Sequence, residues 1–434
     1  MELRNWGKLF SYLVAMLYHF ARLLMWVALR IFFRKIRLDN SELLIHDKPA
    51  ILIANHQASF LDAIVLVVFL NRPIYYYVRG DIFENPIVYK IFTWLHMIPI
   101  YSIDNGREQL AKNKGTFDIG QDLLSQNKLL LIFPEGFSRL TKTVEPFKKG
   151  TARVALQSAF DSEFPIDLTI ESVSINYSFH GFRSDLVIRV GETIELKKYE
   201  PEYRTLPNHA LTRLTQEMYA VFQKNVLHVK QAERTLYVEA LLRMLFTDVR
   251  YEAKLFFLKG TAICNHVSSL TGDDFSIAMA NLNVYEKKLI QYGILDKEIA
   301  IKSSSFYLPL ILLFLTSPFI LIGFLVWAPI FKITKLIADK TVTRDDFYTS
   351  VFCGISGILG FLWWIVLCGI GLLIKVKLIL GLLFISPLLY YFSLLWKEEL
   401  KSILSGIKLK WLERNSNSVY AEIMASRKSI VFWN

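Results

Sequence analysis

The sequence predicts an α/β domain that lies between an N-terminal membrane-associated helix and a C-terminal helical membrane region. Between residues 39 and 200, short apolar runs typical of strands alternate with stretches of helical periodicity. Beyond Ser303 the sequence becomes a series of long uncharged runs. Hydrophobic residues make up 53% of the chain, more than an ordinary soluble protein of this length needs, which also favours membrane segments.

The N-terminal segment, residues 9–33, is mostly apolar but contains ionisable side chains at His19, Arg22 and Arg30. A central arginine is costly in the hydrocarbon of a bilayer. We therefore expect a helix on the membrane surface or a tilted span, followed by a basic flank of Arg34, Lys35 and Arg37. A helix buried in the α/β domain is the alternative.

The α/β region contains four clear strand candidates, at residues 51–54, 129–133, 173–177 and 186–190. A closing helix is expected over 207–229, with Asn208 as its N-cap. Residues 230–300 are polar and helical in pattern, and they contain no recognisable catalytic motif.

The C-terminal region holds three uncharged runs, each long enough to cross a bilayer: 306–331, 349–374 and 378–396. The loop 332–348 and the tail after 396 are rich in lysine and arginine, which places both in the cytosol. A dip bent at Pro318 followed by a two-span hairpin satisfies this rule. The expected divisions of the chain are 1–38, 39–230, 231–302, 303–400 and a basic cytosolic tail, 401–434.

The net charge of +11, together with the apolar runs, favours anionic lipid headgroups or phosphorylated substrates as partners. No basic patch interleaved with aromatic residues argues for nucleic acid. The three cysteines, Cys264, Cys353 and Cys368, form neither a disulfide framework nor a zinc motif. No second cluster of histidine or cysteine offers metal ligands, so no metal site is expected.

The first candidate site is NHQASFLD, Asn55 to Asp62, which follows an apolar run. Ser59 is a good N-cap for a helix that would carry Asp62 in its first turn, with His56 in the preceding loop. The carboxylate could then orient one imidazole nitrogen and leave the other to accept a proton. Taken alone, the pair also fits an ordinary loop.

Two further stretches carry anion-binding chemistry. In FPEGFSR, 133–139, a turn followed by Ser138 and Arg139 can present N–H groups, a hydroxyl and a cation to phosphate. In VEPFKKGTARVAL, 144–156, basic residues surround a glycine that leads into a helix. A solvated strand exit and a basic helix face at the membrane are the alternatives.

Taken together, the ordered motifs resemble the PlsC-type glycerophospholipid acyltransferases, which include lysophosphatidate and glycerol-3-phosphate acyltransferases. The resemblance covers residues 30–230 and rests on NHQASFLD, MIPIYSIDNGRE (97–108), FPEGFSR, PFKKGTARVAL, SVSINY (172–177) and GETIEL (191–196). It implies a glycerolipid acyltransferase fold, in which helices flank a mixed sheet, and acyl transfer from a thioester.

The sequence departs from the family pattern in four places. Five residues separate His56 from Asp62, where the commonest form has four; this spacing resembles a branch related to fungal glycerol-3-phosphate acyltransferases with a C-terminal membrane region. Ser102 stands where the second block usually has arginine, and Arg107 is the nearest substitute. Phe137 replaces a threonine, and residues 171–173 lack the usual Pro-Val.

The resemblance implies the roles of the site residues. His56 would act as general base, with Asp62 completing the catalytic pair, and Glu135, Gly136 and Arg139 would form the acceptor-phosphate pocket beside Ser138. Glu135 is expected to orient Arg139 or a glycerol hydroxyl. On grounds of charge alone, the pocket also includes Arg107, Lys148 and Lys149.

The predicted reaction transfers an acyl group from acyl-CoA or acyl carrier protein to 1-acylglycerol 3-phosphate, without a further cofactor. Glycerol-3-phosphate acylation, remodelling of another lysolipid and a catalytically inactive scaffold are the alternatives. The intramembrane runs hold no acid or base that would suggest transport. We expect an integral membrane protein with a cytosol-facing catalytic domain, in the inner membrane of a bacterium or the endoplasmic reticulum of a eukaryote.

Overall fold

The computed structural model describes residues 2–45, 47–101, 113–161, 166–248, 252–301, 306–374 and 376–432. The chain divides into two compact units. The first comprises Met1–Val226 together with Arg344–Ser350, and the second comprises Leu227–Thr343 and Val351–Asn434.

The first unit is built on a seven-stranded sheet. Its strands are β1 (Lys35–Asp39), β2 (Ala50–Ala54), β3 (Ile74–Arg79), β4 (Met97–Ile100), β5 (Leu129–Ile132), β6 (Thr169–Tyr177) and β7 (Asp185–Glu195). Their order across the sheet is β1-β7-β6-β2-β5-β3-β4. All neighbours are parallel except β6 and β7, which are antiparallel, so the mixed α/β sheet expected from the sequence is confirmed.

Helices precede, connect and follow the strands of the first unit. They are α1 (Glu2–Phe32), α2 (Phe60–Phe69), α3 (Pro86–Trp94), α4 (Asn113–Ser125), α5 (Gly150–Phe160), α6 (Glu200–Thr205) and α7 (Pro207–Gln223). Short 3-10 turns lie at Ser41–Leu43, Gly80–Phe83 and Lys197–Tyr199.

The centre of the sheet is covered on both faces, because β2 and β6 are buried along their whole length. One face packs against α5 and α7 in a cluster that includes Ile51, Ile53, Leu156 and Phe222. Strands that are apolar throughout, such as AILIA in β2, are typical of this position. The four strands expected from the sequence are confirmed within a few residues at their ends.

The N-terminal helix α1 packs against α2 and α3. Arg22 donates from Nη2 to the carbonyl oxygens of Val68, at 3.0 Å, and Leu70, at 2.8 Å. These carbonyls end α2 and have no partner within that helix, so the arginine satisfies them and its charge is not left unpaired.

Two local expectations for the first unit are wrong. The basic flank is not a free segment: Lys35 and Arg37 lie in β1, and Arg34 pairs with Asp185 of β7. The closing helix begins at Pro207 after Leu206, so Asn208 lies inside its first turn, and the helix ends at Gln223 instead of residue 229. Proline suits the first helical position because its missing N–H would have no partner there.

The second unit is helical. It contains a 3-10 turn at Ala232–Arg234 and the helices α8 (Thr235–Asp248), α9 (Ala253–Ser269), α10 (Gly272–Tyr292), α11 (Asp296–Ile301), α12 (Tyr307–Thr341), α14 (Lys377–Phe384), α15 (Ser386–Asn415) and α16 (Asn417–Ile430). Between α12 and α14 lies α13 (Asp345–Ile374), whose first residues, up to Ser350, belong to the first unit. Arg427 of α16 pairs with Asp248 and Asp296 at 2.7 and 2.8 Å, which ties three helices of the second unit together.

Among the described residues, three helices are long and apolar enough to cross a membrane: Val14–Phe32, Tyr307–Thr341 and Asp345–Ile374. The pair α14 and α15 would make a fourth span if the two were counted as one, although they meet at a bend of 58°. The apolar runs expected beyond Ser303 are therefore helical.

The expected shape of this region needs three corrections. The run 306–331 is not bent into a dip at Pro318, since α12 continues through both Pro318 and Pro329; the sharp bend lies between α14 and α15. Most of the loop expected at 332–348 is helical. The boundary expected at residue 400 falls inside α15. Proline is tolerated within apolar helices of the membrane type, which explains the first difference.

Candidate active site

Three neighbouring strands of the sheet end at the same place. Strands β6, β2 and β5 are adjacent and parallel, so their carboxyl ends share one edge. Tyr177 ends β6, His56 follows β2 and Glu135 follows β5. This edge is where open parallel sheets bind their ligands, and here it assembles two of the sequence motifs with the end of a third.

His56 and Asp62 form a direct pair. The imidazole Nδ1 lies 3.1 Å from Asp62 Oδ2, the aspartate is fully buried, and one fifth of the histidine side chain is exposed. The carboxylate accepts from Nδ1–H, which leaves Nε2 as the proton acceptor. Within the described part of the chain, Nε2 has no hydrogen-bond partner. The ring stacks on Phe133, with centroids 4.0 Å apart and planes inclined by 12°, so its orientation is fixed from the side.

Asp62 is held by two further donors. The hydroxyl of Tyr177 donates to Oδ1 at 2.7 Å, and the backbone N–H of Ala58 donates to Oδ2 at 2.8 Å. A buried carboxylate with these partners can keep its charge and its position. The pairing of the two motif residues therefore survives the five-residue spacing.

The loop between His56 and Asp62 is conformationally unusual. Ser59 has φ 50° and ψ −128°, in the region that favours glycine. Ser59 is the residue that precedes α2, as expected, but its hydroxyl makes no capping hydrogen bond. The backbone N–H of Leu61 is shared between the carbonyl oxygen of Ala58, at 3.1 Å, and the hydroxyl of Ser350, at 3.0 Å.

Buried polar side chains cross-link the strand ends. The Asn55 amide pairs with the backbone of Ile175 in β6 through both its oxygen and its nitrogen, at 2.8 and 2.9 Å. The Glu135 carboxylate accepts from the backbone N–H groups of His56 and Glu145, both at 3.1 Å. Glu135 thus connects NHQASFLD to the chain after FPEGFSR. Of the two partners expected for it, Arg139 is engaged elsewhere, and a glycerol hydroxyl stays a prediction. Arg139 instead pairs with Glu145 at 3.0 Å.

Burial raises the pKa of the Glu135 carboxyl to about 7. The two backbone N–H donors lower the pKa and so oppose this effect, while the nearby charges of Asp62 and Glu145 raise it further. Glu135 is therefore close to its titration point near neutral pH, next to the backbone of the candidate base.

Two cations lie around a single aromatic ring beside the pair. The Arg139 guanidinium lies 4.8 Å and the Lys148 ammonium 5.3 Å from the centroid of Phe137. Gly136, with φ +77°, forms the turn before Phe137, and a Cβ added there would lie 2.8 Å from Lys148 Nζ. Both cations and the ring are exposed, so they can meet an anionic ligand.

The remaining predicted pocket residues lie elsewhere or are engaged. Ser138 is buried and its hydroxyl donates to the Asp346 carboxylate, an unsuitable neighbour for phosphate, so the predicted role for this hydroxyl is not supported. Lys149 donates to Thr212 of α7 at 2.8 Å. Arg107 lies outside the described residues. In the described ranges, no group of three or more His, Cys, Asp or Glu side chains could hold a metal ion.

The structure adds residues that the sequence analysis did not single out. Tyr177 ends a motif that was recognised, and its place at the end of a buried strand parallel to β2 was a usable signal. Phe133 and Asn55 likewise lie inside recognised blocks. Asp346 and Ser350 gave no signal, because they lie 208 and 289 residues from their partners in the sequence.

Comparisons with known proteins find similarity in the part of the chain that forms the sheet. Residues 35–176 match the sequence model of the Acyltransferase family. A 1-acyl-sn-glycerol-3-phosphate acyltransferase of Chlamydomonas reinhardtii is 34% identical over 116 residues, which is 26% of this chain and 32% of that protein. The resemblance to the PlsC-type acyltransferases that was expected from the sequence is therefore confirmed over this domain.

A solved structure is also similar, the 1-acyl-sn-glycerophosphate (LPA) acyltransferase PlsC from Thermotoga maritima. The similarity covers 49% of this chain and 83% of that one, at 18% identity and a TM-score of 0.32. A TM-score at this level adds nothing to the assignment. The match to the Chlamydomonas protein spans about a third of its length, so it concerns the domain and not the whole protein.

Proposed function

We propose that this protein is an O-acyltransferase that moves a fatty acyl group from a thioester to 1-acylglycerol 3-phosphate, forming phosphatidate. The observation that carries the proposal is the His56–Asp62 pair, whose Nε2 is left to accept a proton at the edge where Arg139 and Lys148 are exposed. The Chlamydomonas relative, named for the same reaction, supports the choice of acceptor.

The chemistry follows from the orientation of the imidazole. Nε2 takes the proton of the acceptor hydroxyl as its oxygen attacks the thioester carbonyl. The C–S bond of the tetrahedral intermediate then breaks, and the imidazolium returns the proton to the departing thiolate. Asp62 holds the tautomer and stabilises the imidazolium between these two steps. No acyl-enzyme is required, because the thioester is already activated.

The acceptor phosphate would bind at the cationic side of the site. Arg139 and Lys148 are the residues best placed for it, since they lie around the same exposed ring. Gly136 allows the lysine to approach the turn closely. Glu135 contributes indirectly, by holding the backbone of His56.

The proposal extends to the setting of the reaction. The apolar helices would retain the enzyme in the membrane that holds its lysolipid acceptor and its diacyl product. The donor is acyl-CoA or acyl carrier protein. The catalytic domain would face the cytosol, where both donors occur.

Glycerol 3-phosphate is the second candidate acceptor. The five-residue spacing between His56 and Asp62 and the C-terminal apolar region favour it, because both features resemble the glycerol-3-phosphate branch of the family. The chemistry at Nε2 is the same for either acceptor.

The test is an acyl-transfer assay on the purified full chain in lipid, with labelled acyl-CoA or acyl carrier protein. Product from 1-acylglycerol 3-phosphate, and none from glycerol 3-phosphate, is the expected result. Product from glycerol 3-phosphate would move the protein to the first acylation step. Absence of product from both acceptors with both donors, in a folded sample, would contradict the proposal.

A further inference from the structure

The segment Arg344–Ser350 belongs to the first unit although it begins 148 residues after the last of the acyltransferase motifs, GETIEL, which ends at residue 196. It contains the beginning of α13, and four of its side chains interact within the first unit. They are Arg344, Asp346, Phe347 and Ser350.

Ser350 bridges the two sides of the turn around Ser59 in the motif NHQASFLD. Its hydroxyl donates to the carbonyl oxygen of Ala58 and accepts from the backbone N–H of Leu61, at 3.0 Å. Ser59, the residue with positive φ, lies between these two contacts. Ser350 is itself buried, so water does not compete for its hydroxyl.

Two further contacts fix the segment against the same site. Asp346 accepts a hydrogen bond from the hydroxyl of Ser138 in the motif FPEGFSR and pairs with Arg344 at 2.8 Å. Phe347 packs edge-on against Phe60, the first residue of α2, with ring centroids 5.7 Å apart. The segment, which lies outside the sheet, therefore connects the motif NHQASFLD with the motif FPEGFSR.

A strained turn persists only where its surroundings hold it. The loop between His56 and Asp62 contains the strained Ser59. Within the loop, the Ala58 N–H to Asp62 contact closes one side. On the other side, the N–H groups of Leu61 and Asp62 donate to the carbonyl oxygens of Ala58 and Ser59, at 3.1 and 3.2 Å. Ser350 adds two further contacts to this turn from a distant part of the chain.

We propose that Ser350, supported by Asp346, is a positioning residue that holds the His56–Asp62 loop in the conformation that keeps the imidazole on its carboxylate. The inference rests on the proposed function for its catalytic consequence. Its structural part, that the segment Arg344–Ser350 stabilises the loop between His56 and Asp62, does not depend on any activity.

The structural part is tested by amide hydrogen exchange of the full chain in detergent or lipid. Replacing Ser350→Ala removes both contacts and should raise exchange at the amides of residues 58–62 about tenfold, as expected from the loss of one to two buried hydrogen bonds. Ser350→Thr keeps the hydroxyl and should leave the exchange of these amides close to that of the parent protein.

The matched control is Ser356→Ala, two turns further along α13. Its hydroxyl donates to the carbonyl of Cys353 in the same helix, so no change at residues 58–62 is expected. Unchanged exchange at 58–62 in Ser350→Ala would overturn the proposal. Faster exchange throughout the first unit would also overturn it, because that would be a general loss of folding.

The catalytic part is tested by a double-mutant cycle with Asp62→Asn. If Ser350 acts through the histidine pair, Ser350→Ala should lower kcat about tenfold in the parent, with KM for the donor unchanged, and by less than about twofold in the Asp62→Asn background. Equal losses in both backgrounds would contradict a positioning role. If the parent protein transfers no acyl group, the proposed function fails and the exchange experiment still decides whether Ser350 holds the loop.

Discussion

At the scale of single residues, the site is a chain of three side chains, two from NHQASFLD and one from SVSINY. The Tyr177 hydroxyl donates to Asp62, and Asp62 accepts from His56. The hydrogen bond from Tyr177 orients the Asp62 carboxylate, and the hydrogen bond to Asp62 engages Nδ1 of His56. The imidazole therefore presents only Nε2 to the acceptor. Both the tyrosine and the aspartate are buried, which makes these hydrogen bonds costly to lose.

Replacing Tyr177→Phe should lower kcat about tenfold, because it removes one of the donors that orient the Asp62 carboxylate. KM for the acceptor should change little, since the hydroxyl lies behind the aspartate. Steady-state acyl-transfer kinetics measure both quantities. Tyr203→Phe is the matched control: its hydroxyl also donates to a carboxylate, that of Asp161 at the far end of α5, and its loss should leave kcat unaltered. An equal fall in kcat for both variants would contradict the role given to Tyr177.

The raised pKa of Glu135 makes a prediction about pH. The carboxyl binds its proton near pH 7 in the folded protein and near 4.5 when unfolded, so the folded state is favoured by protonation. That stability is fully present below about pH 4.5 and is lost as pH rises through about 7, with an upper bound of about 3 kcal/mol. The advantage of the parent over Glu135→Gln in thermal unfolding temperature should therefore shrink between about pH 5 and pH 8.

Glu171→Gln provides the comparison for this experiment. Burial also raises the pKa of the Glu171 carboxyl to about 7, so the same trend with pH is expected. Glu171 lies towards the beginning of β6, opposite Leu52, and acyl transfer should be unaffected. A difference between parent and Glu135→Gln that stays constant over this pH range would contradict the proposed origin of the effect.

At the scale of elements, the turns that follow the strands contribute more to the proposed site than the strands themselves. The turn after β5 places Gly136 at φ +77° under the Lys148 side chain. Gly136→Ala should cost about 1 kcal/mol for the backbone alone and displace the lysine, which should raise KM for the phosphate-bearing acceptor about tenfold.

Acceptor titrations at saturating donor measure this change. Gly115→Ala in α4 is the control, since no described atom lies within 4 Å of its added Cβ and alanine favours a helix. If Gly136→Ala lowered kcat and left the KM of the acceptor unaltered, the turn would not contribute to phosphate binding.

The sequence predicted those elements whose local pattern agrees with their burial. Strands β2 and β5 are apolar runs because they are covered, and the motif at the end of β2 was found for the same reason. Strands β6 and β7 were found from the strand-like stretches VSINY and LVIRV within them. Strand β1, KIRLD, was taken for a basic flank because an edge strand can remain partly exposed and charged. The bend expected at Pro318 failed because local sequence does not show whether a proline kinks an apolar helix.

At the scale of the whole molecule, the first unit is discontinuous in sequence. Residues Arg344–Ser350 complete a domain whose other residues end at Val226. No local pattern could have predicted this, since the residues of the segment carry no catalytic chemistry and their role depends only on contacts across the chain. The domain expected at residues 39–230 does not include this segment.

The central claim is that His56 is the general base, and the most direct measurement is kcat for acyl transfer by His56→Ala in the full chain. The account predicts a fall of about 10²- to 10⁴-fold, with KM for the donor little changed. His209→Ala, which removes an exposed histidine paired with Glu202, should retain the activity of the parent protein. A His56→Ala protein that transferred the acyl group as fast as the parent would contradict the account.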